Sequence, residues 1–195
     1  MKILFYTILI FTGGAMLVSC ESEYASMVKT ERSSGVIHED LILGMKMGQT
    51  QKDFYDACWL LNKEGIVHQG PGNKYALWTT NLDSTDEKSQ KVDLLFYGVF
   101  DSLKVMNGME MKIRFTGWSP WSKGHQSSEL IKDLKVYFMK MFGGNEFISV
   151  DAGKERMIQV KVDGNRQIKI YPLDEKDVKV YIEDLRKLDG YGFSD

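Results

Sequence analysis

The segment FTGWSPWSKGH holds the side chains best suited to recognising a partner. Trp118 and Trp121 flank a Ser-Pro pair, and Lys123 and His125 follow directly. Two indoles on a short loop present flat apolar faces with polar edges, a combination that suits sugar rings or the side chains of a protein. The other interpretation is that both indoles fill the junction between a sheet and the next helix, since Trp is usually largely buried.

The sequence contains no recognisable catalytic or metal-binding motif. Its three histidines, His38, His68 and His125, are far apart, and HExxH, Cys-x-x-Cys and calcium-loop patterns are missing. The stretch GPGNKY lacks the third glycine and the following helix of a phosphate-binding loop. Carboxylates are numerous, so a glycosidase-type pair stays open, but no spacing singles one out. We predict a protein that is not an enzyme and holds no metal or cofactor.

The first 20 residues, MKILFYTILIFTGGAMLVSC, have the plan of a secretory signal: a basic residue, an apolar run and small residues. The apolar run is shorter than the roughly 20 residues of a spanning helix. Its end, LVSC, resembles the bacterial lipobox, whose cysteine receives a diacylglyceryl group before cleavage. The resemblance implies a signal peptide over 1–19, lipid on Cys20 and anchoring in the outer membrane. An ordinary cleaved signal is the alternative.

The stretch after Cys20 is polar, rich in Ser and Glu, and has no apolar period. We therefore predict a flexible tether over residues 20–40. Glu21 and Glu23 resemble the acidic export signal of surface-displayed Bacteroidetes lipoproteins, which implies the external face of the outer membrane. The lipobox alone is equally compatible with the periplasmic face.

Composition indicates one globular domain, over residues 41–190. Hydrophobic residues make up 43% of the chain and aromatic residues 12%, enough for a real core. The net charge of −2 gives no basic footprint for a nucleic acid. Once Cys20 carries lipid, Cys58 has no disulfide partner, and we expect it to be an inert core thiol.

Two helices are predicted within this domain. The first covers residues 50–64: Thr50 and Asp53 have the spacing of a capping box, and Phe54, Cys58 and Leu61 recur on one face. Trp59 in this helix and Trp78 in a strand are expected in the core or at its margin. The second helix begins near Ser127 and ends at the glycine pair 143–144.

Seven strands are predicted from period-two alternation and turn signals. In the clearest hairpin, Ile158, Val160 and Val162 are expected to face Ile168 and Ile170 across a turn. The predicted strand regions are 74–82, 92–100, 109–118, 147–150, the two arms of 157–171, and 178–185.

The order of these elements predicts an α+β fold, an antiparallel sheet with two helices on one face. A tandem α-βββ repeat is one form of it, with halves 41–118 and 122–190. GMKMGQTQKDF resembles the opening of lipoprotein domains of the BamE (SmpA/OmlA) type, through Gly48, Thr50, Asp53 and Phe54. A tandem of that unit is similar to the fold of the beta-lactamase inhibitory protein.

We predict a non-enzymatic envelope lipoprotein, held to the membrane by its N-terminal lipid, that binds a macromolecular partner at the outer membrane. One alternative is a glycan-binding or glycan-processing accessory lipoprotein. Another is a periplasmic enzyme-inhibitor domain, as the resemblance to the inhibitory protein implies.

Overall fold

The computed structural model describes residues 22–82, 90–153 and 157–187. The predicted signal peptide and Cys20 lie outside the described residues. Within these ranges the chain forms three α-helices and eight β-strands, joined by turns and short 3₁₀ segments. They are α1 (Glu23–Ser33), α2 (Gln51–Lys63), β1 (His68–Gln69), β2 (Ala76–Asn81), β3 (Lys91–Phe100), β4 (Met106–Phe115), α3 (Ser127–Phe142), β5 (Ile148–Asp151), β6 (Met157–Asp163), β7 (Arg166–Pro172) and β8 (Val178–Asp184).

All eight strands belong to one antiparallel sheet, in the order β1-β2-β3-β4-β8-β7-β6-β5. The pairing of β4 with β8 joins the first four strands to the last four. The α+β class predicted from the sequence is confirmed, with a sheet one strand larger than expected. The added strand is β1, whose two residues are too short to show an alternating pattern.

Each of the two helices predicted from the sequence has one well-defined end, the start of α2 and the end of α3. The Thr50 side chain accepts a hydrogen bond from the Asp53 N–H, and the Asp53 carboxylate accepts one from the Thr50 N–H at 3.0 Å. This reciprocal capping box starts α2, as predicted. The α3 helix ends at Gly143, whose positive φ of 61° suits glycine.

The main core is formed by α2, α3 and alternate residues of the strands. One row of apolar side chains, formed by Phe96, Met111, Val180 and Ile170, crosses four neighbouring strands in register. From the helices, the same core receives four buried side chains: Phe54, Leu130, Leu134 and Phe138. Alternation along the strands therefore supplies one continuous apolar surface.

The prediction of a flexible tether is wrong for the part of it that the structure describes. Residues 23–33 form α1, and Tyr24 and Val28 pack against the apolar side chains of β6. The Tyr24 hydroxyl donates to Gln167 at 2.6 Å, and the Glu31 carboxylate accepts from the Gly164 N–H at 2.7 Å. The helix was missed because Tyr24 and Val28 are its only two buried residues.

The predicted facing of the last hairpin is also wrong. Val160 lies opposite Lys169, and Ile168 lies opposite Lys161, so the two apolar sets are on opposite faces. The two-residue loop after Asp163 sets this register, and a shift of one residue exchanges the faces. Ile168 and Ile170 enter the main core, whereas α1 covers Val160 and its neighbours on β6.

Candidate functional site

The loop over residues 117–126, which we call the Trp121 loop, presents a fully solvated indole. Trp121 is 90% exposed. The loop is braced from within: the Gln126 side-chain amide donates to the carbonyls of Ser119 and Ser122, at 3.1 and 2.7 Å. Lys123 is also exposed. An aromatic contact surface is thus held on ordered backbone.

The other two predicted site residues stabilise the loop. Trp118 is half-buried, and the Lys176 ammonium lies 5.2 Å from the centre of its ring. His125 is half-buried as well; its ring packs on Phe115, and Nδ1 lies 2.7 Å from the carbonyl oxygen of Gly117. Trp121 and Lys123 therefore lie on the surface, whereas Trp118 and His125 make the contacts that hold the loop in place.

The turn between β7 and β8 supports this loop. The Ser127 N–H donates to the Glu175 carbonyl at 2.8 Å, which fixes the start of α3 against the turn. The buried Asp177 carboxylate pairs with Lys112 at 2.7 Å and with Arg114 at 3.0 Å. These ion pairs join the turn to β4, the strand that leads into the loop.

A second candidate site, which we call the α2 groove, was not predicted from the sequence. Its volume is about 320 Å³, and five aromatic side chains line it: the buried Phe54, and Tyr55, Trp59, Tyr75 and Tyr97. Trp59 was expected in the core or at its margin, but it is 63% exposed. Tyr55 and Trp59 are four residues apart on α2, so they are neighbours on the helix surface. This spacing on the polar side of the helix is the sequence signal that could have indicated the groove.

Hydrogen bonds fix the tyrosines of the α2 groove. The hydroxyls of Tyr55 and Tyr97 lie 2.8 Å apart. The Tyr75 hydroxyl donates to Glu110 at 2.8 Å, and this bond raises the pKa of Tyr75 to about 12. Burial acts to raise the pKa of Glu110, but hydrogen bonds from Lys179 and Tyr75 outweigh it and lower that pKa. At neutral pH, Glu110 is therefore ionised and Tyr75 protonated.

Cys58 also lines the α2 groove and is half-buried. Burial raises the pKa of its thiol to about 11, so almost none of it is thiolate at neutral pH. Since the thiolate is the reactive form of cysteine, this geometry gives no activated nucleophile.

We expect Cys58 in the folded protein to react with iodoacetamide at pH 8 at least about 100-fold more slowly than in denaturant, where the thiol pKa is about 8.5. The reaction is followed by mass spectrometry on the Cys20→Ser variant, which leaves Cys58 as the single thiol. The folded rate should rise with pH up to about 11. Equal rates at pH 8 in the folded and unfolded protein would show that the thiol is not shielded.

Comparisons with protein-family models, curated proteins and solved structures found no significant match. Among the described residues, no cluster of three or more His, Cys, Asp and Glu side chains is arranged to hold a metal ion. None of the helices in the described ranges has the length and apolar character needed to span a bilayer. The resemblances stated from the sequence therefore stay predictions.

Proposed function

We propose that this chain is a non-enzymatic lipoprotein of the bacterial outer membrane that binds a macromolecular partner through the Trp121 loop. The exposure of Trp121 on a braced loop carries this proposal. A Trp side chain offers a large contact area, and binding orders little additional backbone when the loop is already fixed. Trp is also the residue type most enriched among the energetic centres of interfaces.

We further propose that the domain is a duplicated unit, with α2 and α3 packed against one face of the sheet. Each half consists of a helix followed by four antiparallel strands, α2 with β1–β4 and α3 with β5–β8. The last strands of the halves, β4 and β8, pair with each other. This arrangement supports the resemblance to the BamE-type unit and to its tandem form, where an enzyme-inhibitor role is the alternative.

Lipid on Cys20 would hold this domain close to the bilayer. Two residue steps separate Cys20 from Ser22, which caps α1, and they span at most about 7 Å. Since α1 packs on β6, the chain offers no long spacer between the anchor and the domain. Two or three acyl chains on one cysteine give a stable anchor, whereas a single chain binds only marginally.

Metabolic labelling tests the anchor, because the chain has two cysteines that serve as site and control. Cells given a clickable fatty-acid analogue are expected to label the wild-type chain and Cys58→Ser equally. Cys20→Ser is expected to lose all label. Label that persists in Cys20→Ser would contradict lipid attachment at Cys20.

Affinity capture tests the contact surface. The tagged full-length chain is extracted in mild detergent, and co-captured molecules are quantified for wild type, Trp121→Ala and Leu103→Ala. Leu103 is the matched control because it is also strongly exposed, on the turn between β3 and β4. Truncating an interface Trp costs about 2 kcal/mol or more, so we expect about 30-fold weaker partner binding for Trp121→Ala and no change for Leu103→Ala. Equal capture by all three proteins would refute a role for this loop.

A further inference from the structure

We infer that the α2 groove is a carbohydrate-binding site, separate from the Trp121 loop. The inference does not depend on the proposed protein contact, since the groove lies between α2 and the segment that enters β2. Its expected ligand is a short stretch of an oligosaccharide.

The aromatic walls of the groove have the chemistry that sugar rings require. Trp59 and Tyr55 lie on successive turns of α2 and are 63% and 48% exposed. Tyr75 and Tyr97 also line the groove, so aromatic surface is contributed both by the helix and by the sheet. The apolar C–H face of a pyranose stacks on such rings, while tyrosine hydroxyls and the indole N–H remain polar at the edge. A volume of about 320 Å³ lies at the lower end for ligand pockets and suits about one or two sugar rings.

Besides the aromatic residues and Cys58, the polar groups that line the groove within the described ranges are amides, an imidazole and one ammonium group, without a carboxylate. Asn62, Gln69 and Asn73 supply the amides, and His68 and Lys74 supply the other two groups. Amides both donate and accept hydrogen bonds, as a set of sugar hydroxyls demands. The lone ammonium accommodates neutral sugars and adds affinity for a uronic acid.

Hydrogen bonds within the chain hold the rim of the groove. The Gly70 N–H donates to the Tyr75 carbonyl at 2.8 Å, which closes the loop that forms one rim. A Cβ on Gly70 would approach that carbonyl oxygen to 2.7 Å, so the closed loop requires glycine here. The Asn62 amide donates to the Val67 carbonyl at 2.9 Å, and the Gln69 amide donates to Asn73 at 2.8 Å. Because these contacts pre-order the rim, binding a small polar ligand costs little conformational entropy.

The second half of the domain provides an internal comparison. A groove on α3 is larger, about 580 Å³, but Lys132, Lys135 and Lys140 line it together with Val136, Met139 and Phe147. Glu146 completes its lining, which has neither Trp nor Tyr among the described residues, and Val136 is strongly exposed there. Aromatic stacking surface combined with neutral amides therefore distinguishes the α2 groove from its counterpart.

A titration of the detergent-solubilised full-length chain tests the inference. The probes are neutral and uronic-acid oligosaccharides of two to six rings, screened on an array and then titrated calorimetrically. We expect at least one neutral or acidic series to bind, Trp59→Ala to weaken that binding about tenfold or more, and Val136→Ala to leave it unchanged. Trp121→Ala is expected to bind the sugar normally, which separates this site from the proposed partner contact.

Thermal unfolding of each variant verifies that the fold is intact. Absence of binding across the whole panel, or equal binding by Trp59→Ala and wild type, would overturn the inference. A peptide ligand that needs Trp59 and is not displaced by any sugar would also overturn it, and would assign the groove to a protein partner.

Discussion

Replacing Lys161 by methionine is expected to lower the free energy of unfolding by about 3–5 kcal/mol. Lys161 is a basic residue, but its side chain is 0% exposed because it lies on β6, in the interior of the domain. Its ammonium donates to the Asp163 carboxylate at 2.9 Å and to the Asn145 carbonyl. Methionine keeps the apolar stem but leaves the Asp163 carboxylate buried beside Arg166, whose nearest guanidinium nitrogen is 3.8 Å away.

A double variant separates the cost of the lost charge from the cost of altered packing. Asp163→Asn keeps an acceptor for the Asn145 N–H, which Asp163 binds at 2.8 Å, but removes the charge. Because Asp163→Asn also removes the carboxylate beside the buried Arg166 guanidinium, the Lys161→Met/Asp163→Asn protein is expected to be no more stable than Lys161→Met alone, and a gain in stability would show that the carboxylate left by Lys161→Met carries the cost. The measurement is urea unfolding followed by circular dichroism. A Lys161→Met protein within about 1 kcal/mol of wild type would show that the buried pair contributes little.

Replacing Phe54 by alanine is expected to lower the free energy of unfolding by about 3–5 kcal/mol as well. Phe54 is 2% exposed and stands at the centre of an aromatic cluster, with ring centres 6.4 Å from Phe96 and 5.6 Å from both Tyr97 and Phe100. Its removal leaves a cavity between α2 and β3 that the surrounding rings fill only in part. Because Phe54 also lines the α2 groove, Tyr55 and Tyr97 should lose their fixed positions.

The control for Phe54→Ala lies on the same helix. Trp59→Ala removes a larger ring, but Trp59 is mostly exposed, so we expect a change in stability of no more than about 0.5 kcal/mol. Both variants are measured by urea unfolding under the same conditions. A similar loss for both would mean that Trp59 contributes to the core and would remove it as a clean probe of the groove.

Capping and alternation along the chain predicted most of the fold. The Thr50–Asp53 spacing located α2, and the alternation of Met109, Met111 and Ile113 located β4, because both signals arise within one element. Helix α1 was missed because it is held by contacts distant in sequence, such as Tyr24 with Gln167. Without α1, the predicted fold had no helix to cover the second face of the last hairpin, so the facing of that hairpin was predicted wrongly.

The candidate sites were predictable only in part. Sequence located the Trp121 loop, but it could not separate Trp121 from Trp118, since Trp118 lies against Lys176 from a distant turn. The α2 groove depends on the topology of the sheet, which brings Tyr75 and Tyr97 into the same groove as Trp59. No local sequence pattern encodes how these distant segments come together. Two aromatic residues four apart on the polar side of a helix could, however, have indicated an aromatic surface there.

Site-specific photocrosslinking in living cells tests the proposed partner contact most directly. A photoreactive phenylalanine analogue is placed at position 121 of the full-length chain, and at position 103 as the control. The proposal predicts a discrete adduct of higher mass from position 121, and none from position 103, with the same partner identified in repeated experiments. No adduct at position 121, or the same adduct from both positions, would contradict a partner contact at the Trp121 loop.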